Sequence, residues 1–414
     1  MKNCFLSADI LLPRTGDLNK WSVVACDQYT SQPEYWQRVR ERVGQAPSAL
    51  NLILPEAELG APDEAQRIAA INANMDRALE SGLFELLPDS YIYVERTLDR
   101  GRVRRGLVGR VDLEAYDYSP DSTSPIRATE GTVASRLPPR IRVRQDAALE
   151  LPHILLLCDD ASNELLGPVS QAKDELRPVY DFELMEDGGH IAGWQVSGEQ
   201  AAAFDRRLAE FAARVPDKYP GLTGTPMVFA MGDGNHSLAT AKACWEALKE
   251  KDPSLAGSEH PARYALVELE NIHDPALEFE PIHRVVSGTD PQALLTALQA
   301  SACAAEGYAV QWFSGAETGT VYLDPAKSEL AVGVLQGFLD RYLQDHPGEV
   351  DYIHGDDVLR ELSGAADAIG FLLPPMEKSQ LFRGVIADGV LPRKTFSMGQ
   401  ANEKRFYLEA RAIR

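Results

Sequence analysis

Met227-Val228-Phe229-Ala230-Met231-Gly232-Asp233-Gly234-Asn235-His236-Ser237-Leu238-Ala239-Thr240-Ala241 passes from an apolar run through a Gly-Asp-Gly turn into small and hydroxyl-bearing residues. The pattern predicts a short strand, a tight turn and a helix. Both glycines permit positive φ and let a ligand approach the backbone where no Cβ stands. The first turn of the helix leaves unpaired N–H groups and a partial positive charge, which together favour an anion, most often phosphate. Asp233, Asn235, His236 and Ser237 add a carboxylate, an amide, an imidazole and a hydroxyl at that spot. The plainer alternative is a structural turn with Asn235 or Ser237 as a helix cap. His236 weighs for a site, because capping has no use for an imidazole. The stretch is neither a Walker loop nor a dinucleotide fingerprint.

Around it, helical and strand patterns alternate along the whole chain. Helices are predicted over 33–43, 62–80, 197–215, 235–250, 332–344, 356–362 and 378–387. A β-hairpin is predicted from 90–98 and 103–113 around Asp99-Arg100-Gly101. Further strands are expected at 9–12, 21–26, 153–158, 179–185, 191–196, 263–269, 279–286, 309–313, 318–323 and 368–373. Residues 118–125 and Pro138-Pro139 read as loops, and the end of the chain as a polar tail. Such interleaving defines an α/β class (α+β with a mixed sheet). Three regions are expected: 1–117 with the hairpin, 118–286 with the glycine loop, and an α/β C-terminal region over 287–414.

The chain has 414 residues, 44% hydrophobic and 25% charged, which is ordinary for a soluble globular protein. A net charge of −21 argues against a nucleic-acid surface, since phosphate contacts supply most non-specific affinity. No apolar run is long enough to cross a bilayer, and the N-terminus does not read as a signal peptide. A cytoplasmic protein with neither nucleic-acid nor membrane partners is therefore expected, and a homodimer is left open. Five scattered cysteines fit reduced thiols. His153, His190, His236, His283 and His354 lack the i, i+4 spacing of a helical zinc site, so a metal hydrolase is the weakest reading. The arginines between Arg96 and Arg110, and between Arg136 and Arg144, read first as solvated faces, with an anionic small molecule as the other use.

Four more polar clusters interrupt apolar elements: Ala25-Cys26-Asp27-Gln28-Tyr29, Arg127-Ala128-Thr129-Glu130-Gly131-Thr132, Pro281-Ile282-His283-Arg284 and Leu391-Pro392-Arg393-Lys394-Thr395-Phe396-Ser397. Singly, each has an easy structural reading as a cap, a surface pair, a core histidine or a solvated turn. In order, and over nearly the whole chain, they resemble the family called domain of unknown function 1015. Its corresponding stretches run roughly Pro-Tyr-Asp-Val, Arg/His-x-x-Glu-x-Thr, Asp-Gly-His-His-Arg, Pro-x-His-Arg and Pro-x-Lys-Ser/Thr-x-Phe. Here Cys26-Asp27-Gln28 stands in place of Tyr-Asp-Val, and Asn235-His236-Ser237 in place of His-His-Arg.

The Asp-Gly-His-His-Arg signature is in turn similar to one in the ParB/sulfiredoxin-like superfamily, some of whose members are kinases of free serine. That resemblance implies a nucleotide-binding core and phosphoryl transfer from ADP or ATP to a small hydroxylated metabolite. By the same resemblance Gly232, Gly234, Asn235, Ser237 and Thr240 would surround phosphate, with His236 as a catalytic or phosphate-ligating group. Asp233 would hold Mg2+, and Asp27 or Glu130 would act on the acceptor hydroxyl. Arg127, Arg284 and Lys394 would balance the anion, with Thr132, His283 and Thr395 beside them. Two other classes stay open: a nucleotide sensor that binds without turnover, and a phosphatase of a phosphorylated hydroxy amino acid.

Overall fold

Side chains alternate between two cores along the central strands. Tyr91 and Tyr93 enter one hydrophobic cluster, while Ile92 and Val94 enter another. Ala265, Val267 and Leu269 likewise face the first, and Leu266 the second. Successive residues of a strand point to opposite faces, so a sheet covered on both sides reads as an unbroken apolar run. The computed structural model describes residues 3–222, 225–303 and 306–414.

The covered sheet has eleven strands among the described residues. From one edge the order is Tyr116–Asp117, Ile126–Arg127, Phe229–Asp233, Leu155–Cys158, Tyr264–Asn271, Val103–Asp112, Phe84–Thr97, His190–Val196 and Arg177–Glu183. Phe5–Leu6 and Ala8–Pro13 pair off this path. Parallel and antiparallel ladders are mixed: Phe229–Asp233 runs parallel to Ile126–Arg127 and antiparallel to Leu155–Cys158. One face packs on helix Gly198–Arg214, which buries Ala201, Phe204, Leu208 and Phe211 at helical spacing. The other packs on helices Pro33–Val43 and Glu64–Glu80 through Trp36, Val39, Ile68, Ile71 and Met75. A second, antiparallel sheet of five strands lies within 283–372. The class is mixed α/β, as the interleaved pattern predicts. No helix among the described residues is long and apolar enough to cross a membrane.

Four local readings are corrected. Residues 21–26 form no strand: Trp21 ends a short helix, Leu18–Trp21, and Val24 makes a single bridge to Phe406. The Pro138-Pro139 pair lies in the first turn of helix Leu137–Arg144, where a missing N–H costs nothing. The arginine hairpin is not uniformly solvated. Arg96 is buried and donates to the Gly188 carbonyl, and buried Arg104 pairs with Glu270 at 2.9 Å. The end of the chain is not a polar tail either. Phe406, Tyr407, Leu408 and Ala410 are buried, and Leu11 and Ala410 exchange backbone hydrogen bonds at 2.8 and 2.9 Å. Charged residues mask that burial in the sequence. Arg405 meets Glu268 at 2.7 Å and Glu409 at 2.8 Å, while Arg411 meets Glu150 at 2.6 Å. A charge enters a core only when it is paired.

Candidate functional site

Strand Phe229–Asp233 ends at the rim of a cavity of about 1090 Å3. Gly234 then turns the chain with φ 78° and ψ 26°, the left-handed region that glycine occupies without steric cost, and helix Asn235–Lys251 begins. A side chain on Gly234 would stand 3.1 Å from Ile154 Cα, and one on Gly232 would stand 2.9 Å from Leu157 Cγ. Ser237 and Leu238 return their N–H groups to the Gly234 carbonyl. The N–H groups of Asn235 and His236 find no acceptor among the described residues, so the helix mouth opens on two free donors.

The polar side chains divide by charge. Asp27, Glu56, Glu130, Asp233 and Glu280 line the cavity with Arg136, Arg140, Arg393, Lys394 and Lys404. Arg140 is tied to Glu56, and Lys404 Nζ lies 3.0 Å from Asp233 Oδ2. Arg136, Arg393 and Lys394 have no carboxylate at ion-pair distance among the described residues. Burial alone would raise the Asp233 carboxyl, but Lys404 and the Gly234 N–H, which reaches Oδ1 at 2.8 Å, hold it below its ordinary value. Glu130 goes the other way. Burial pushes it up, with Asp233 adding to the shift, against Lys394 and the amides of Lys394 and Thr395. His236 Nε2 accepts the Val133 N–H at 3.4 Å. Burial, then the charges of Arg140 and Arg136, bring its imidazole down to about 4, so it is neutral at pH 7.

Gly232, Asp233, Gly234, Asn235, His236, Ser237, Asp27, Glu130 and Lys394 are thus brought to one cavity. The other expected site residues lie behind its wall. Arg127 Nε and Nη2 donate to the carbonyls of Ser124 (2.8 Å) and Thr225 (2.5 Å). Thr240 donates to the His236 carbonyl at 2.7 Å, and Thr395 to that of Pro392 at 2.6 Å. Thr132 Oγ1 is buried with no partner among the described residues. His283 accepts the Leu373 N–H through Nδ1 and contacts Asp356 through Nε2, both at 3.2 Å. Arg284 is fully buried and holds the carbonyls of Ile282 (2.6 Å), Lys394 (3.0 Å) and Arg393 (3.2 Å). That grip supports Lys394 at φ 61°, a backbone conformation uncommon for a residue with a Cβ. Arg284 therefore aims the Arg393-Lys394 turn at the cavity rather than meeting a ligand itself.

Sequence reasoning passes over Lys404 and Tyr407, reads Arg136 and Arg140 only within a basic run whose second use is an anionic small molecule, and weighs His153 only as a metal ligand. Arg136 and Arg140 were legible in principle, as an i, i+4 pair on a helix hidden by Pro138-Pro139. Nothing in the local sequence signals Lys404, His153 or Tyr407, which reach the site through the tertiary fold alone.

A mixed α/β protein with a glycine-started helix opening on a cation-lined cavity is the class that fold and site define. Residues 11–365 match the family described as Protein of unknown function (DUF1015), and the chain belongs to that family. No curated protein matches it. Among solved structures it is similar to SbnI with a C-terminal truncation from Staphylococcus aureus, at 10% identity and TM-score 0.36, over 70% of this chain and 82% of that one. A conserved hypothetical protein from Pyrococcus furiosus stands at 12% identity and TM-score 0.35, over 74% and 94%. A free serine kinase in complex with AMP stands at 11% and 0.34, over 72% and 90%. Similarity at that level assigns no activity.

Proposed function

We propose that the cavity binds the phosphates of a nucleotide, ADP or ATP, and that the protein transfers a phosphoryl group to a small hydroxylated metabolite such as free serine. The observation that carries this reading is the helix mouth. Two free main-chain N–H groups, at Asn235 and His236, open into the same cavity as the unpaired cations Arg136, Arg393 and Lys394. Phosphoryl transfer asks a protein chiefly for positioning and charge neutralisation, which such groups supply.

In this reading the Asn235 and His236 amides hold the transferring phosphate, and Arg136 and Lys394 offset its charge. Glu130, whose carboxyl is raised toward neutrality, takes the proton from the acceptor hydroxyl as its oxygen bonds to phosphorus. The anhydride P–O bond breaks with its electron pair on the leaving phosphate. Asp27, which lines the same cavity, orients the acceptor. No group of three or more metal-ligating side chains occurs among the described residues, and both Asp233 oxygens already have partners. The donor set therefore builds no all-protein cage, and Asp233 would serve a Mg2+ brought with the phosphates only by giving up its contact with Lys404. When bound, the ion would supply further charge neutralisation.

The test is thermal unfolding with ADP, ATP or pyrophosphate in the presence of Mg2+, followed by phosphoryl transfer to serine and other hydroxylated metabolites. Stabilisation that Asp233→Ala abolishes is expected. No stabilisation by any phosphate compound at saturation would refute the reading. Stabilisation without turnover of any acceptor would leave a sensor, and release of phosphate from phosphoserine alone would point to the phosphatase.

A further inference from the structure

Four segments distant in sequence meet in one line of hydrogen bonds behind the phosphate loop. The Cys26 N–H reaches Tyr407 Oη at 3.1 Å, and Tyr407 Oη lies 2.7 Å from His153 Nδ1. His153 Nε2 lies 2.7 Å from Ser237 Oγ. The fixed end sets the direction. A main-chain N–H only donates, so Oη accepts there. The phenol proton is buried and needs an acceptor; the Cys26 thiol also lies against Oη, but sulfur accepts weakly, so the proton goes to His153 Nδ1 at 2.7 Å. Burial and then Cys26 push the phenol far above its usual range, so that proton stays on it. Nδ1 is therefore bare, and the ring hydrogen sits on Nε2 and is donated to Ser237 Oγ. Ser237 lines the cavity, and its own hydroxyl proton has no protein acceptor among the described residues.

We propose that this one-way line makes Ser237 a hydroxyl donor to a phosphate oxygen of the bound ligand, with His153 and Tyr407 as its positioning residues. The proposal rests on the phosphate-binding reading of the cavity and adds the device that aims one of its ligands. It also separates two uses of a serine beside a histidine. With its hydrogen on Nε2, His153 cannot take the Ser237 proton, so Ser237 is a ligand and not an activated nucleophile. The line further ties the Cys26 main chain, next to Asp27, to the Ser237 loop.

Two measurements decide it. Long-range 1H–15N correlation spectra of the full-length protein are expected to show His153 protonated at Nε2 and bare at Nδ1. A hydrogen on Nδ1 would overturn the direction of the line. In pyrophosphate titrations, Ser237→Ala is expected to bind about tenfold more weakly, the loss of one hydrogen bond to a charged group. Ser237→Thr, which keeps the hydroxyl, is expected to bind within about threefold of the original by the same scale. Tyr407→Phe leaves Ser237 in place but frees Nδ1. It is expected to weaken pyrophosphate and mix the His153 tautomers, a readout that general loss of stability does not move. Equal affinity in Ser237→Ala and the original protein would overturn the donor role and leave the anion cavity standing. Failure of the original protein to bind pyrophosphate would remove the anion reading, and Ser237's partner with it.

Discussion

Replacing Gly234 with alanine tests the site through its backbone. Two costs follow from its geometry. The residue sits at φ 78°, where an L side chain costs roughly 1–2 kcal/mol. Its new Cβ would stand 3.1 Å from Ile154 Cα, a backbone atom of the neighbouring chain segment, and relief of such crowding costs about 1–3 kcal/mol. Gly257 is the control: φ is 77°, yet nothing lies within 4 Å of a Cβ built there, so it bears the first cost alone. Urea unfolding should therefore show Gly234→Ala destabilised beyond Gly257→Ala by about 1–3 kcal/mol. Function should split more sharply. At a pyrophosphate concentration a hundredfold above Kd, the original protein and Gly257→Ala gain about 2.7 kcal/mol of stability. Gly234→Ala, with the Asn235 and His236 amides displaced, should gain almost none. Equal destabilisation of the two variants with equal pyrophosphate binding would refute the account of the turn.

Three further outcomes are expected. His236 is held down to about 4 in the free protein, and a bound anion must raise it, so pyrophosphate binding at pH 5 should take up protons. Calorimetry in buffers of different ionisation enthalpy should register that uptake, and His236→Gln should lose it. Glu270 is pushed up to about 8, first by burial, with Arg104 opposing and Glu268 adding, so the folded protein holds a proton that the unfolded chain releases. Its contribution is full below the ordinary carboxylate value and is lost as pH rises toward 8. Glu270→Gln should flatten the fall in stability across that window in unfolding measured from pH 5 to 9. Arg405→Leu strips buried Glu268 and Glu409 of their shared cation and should cost about 3–5 kcal/mol in urea unfolding. A loss below about 1 kcal/mol would show that neighbouring arginines take over the pairing.

What the sequence made legible is what local chemistry controls. The turn at Gly232 and Gly234, the helix after it and the amphipathic spacing of Phe204, Leu208 and Phe211 are written in neighbouring residues. The polar clusters were readable as clusters, but not which of their members face the cavity. Arg284 and Lys394 look equally suited to an anion in sequence, yet only Lys394 reaches the cavity, because Arg284 is taken up by three carbonyls beneath it. The end of the chain was misread because Arg405, Glu409 and Arg411 look solvated until their partners 137 to 261 positions away are known. Pairing at that distance leaves no periodicity behind.

The buried end of the chain has a consequence for how the molecule comes into being. The backbone exchange between Leu11 and Ala410, the bridge from Val24 to Phe406 and the placement of Tyr407 beside His153 all join segments that lie far apart in the chain. Closing such loops carries a large entropic cost and slows folding. The hairpin can form from local contacts, but Glu268 has no Arg405 beside it until residues 405–411 dock. The cavity beside residues 232–237 therefore gains its Lys404 wall only once residues 404–411 have docked, and a chain in which they have not docked has no finished pocket.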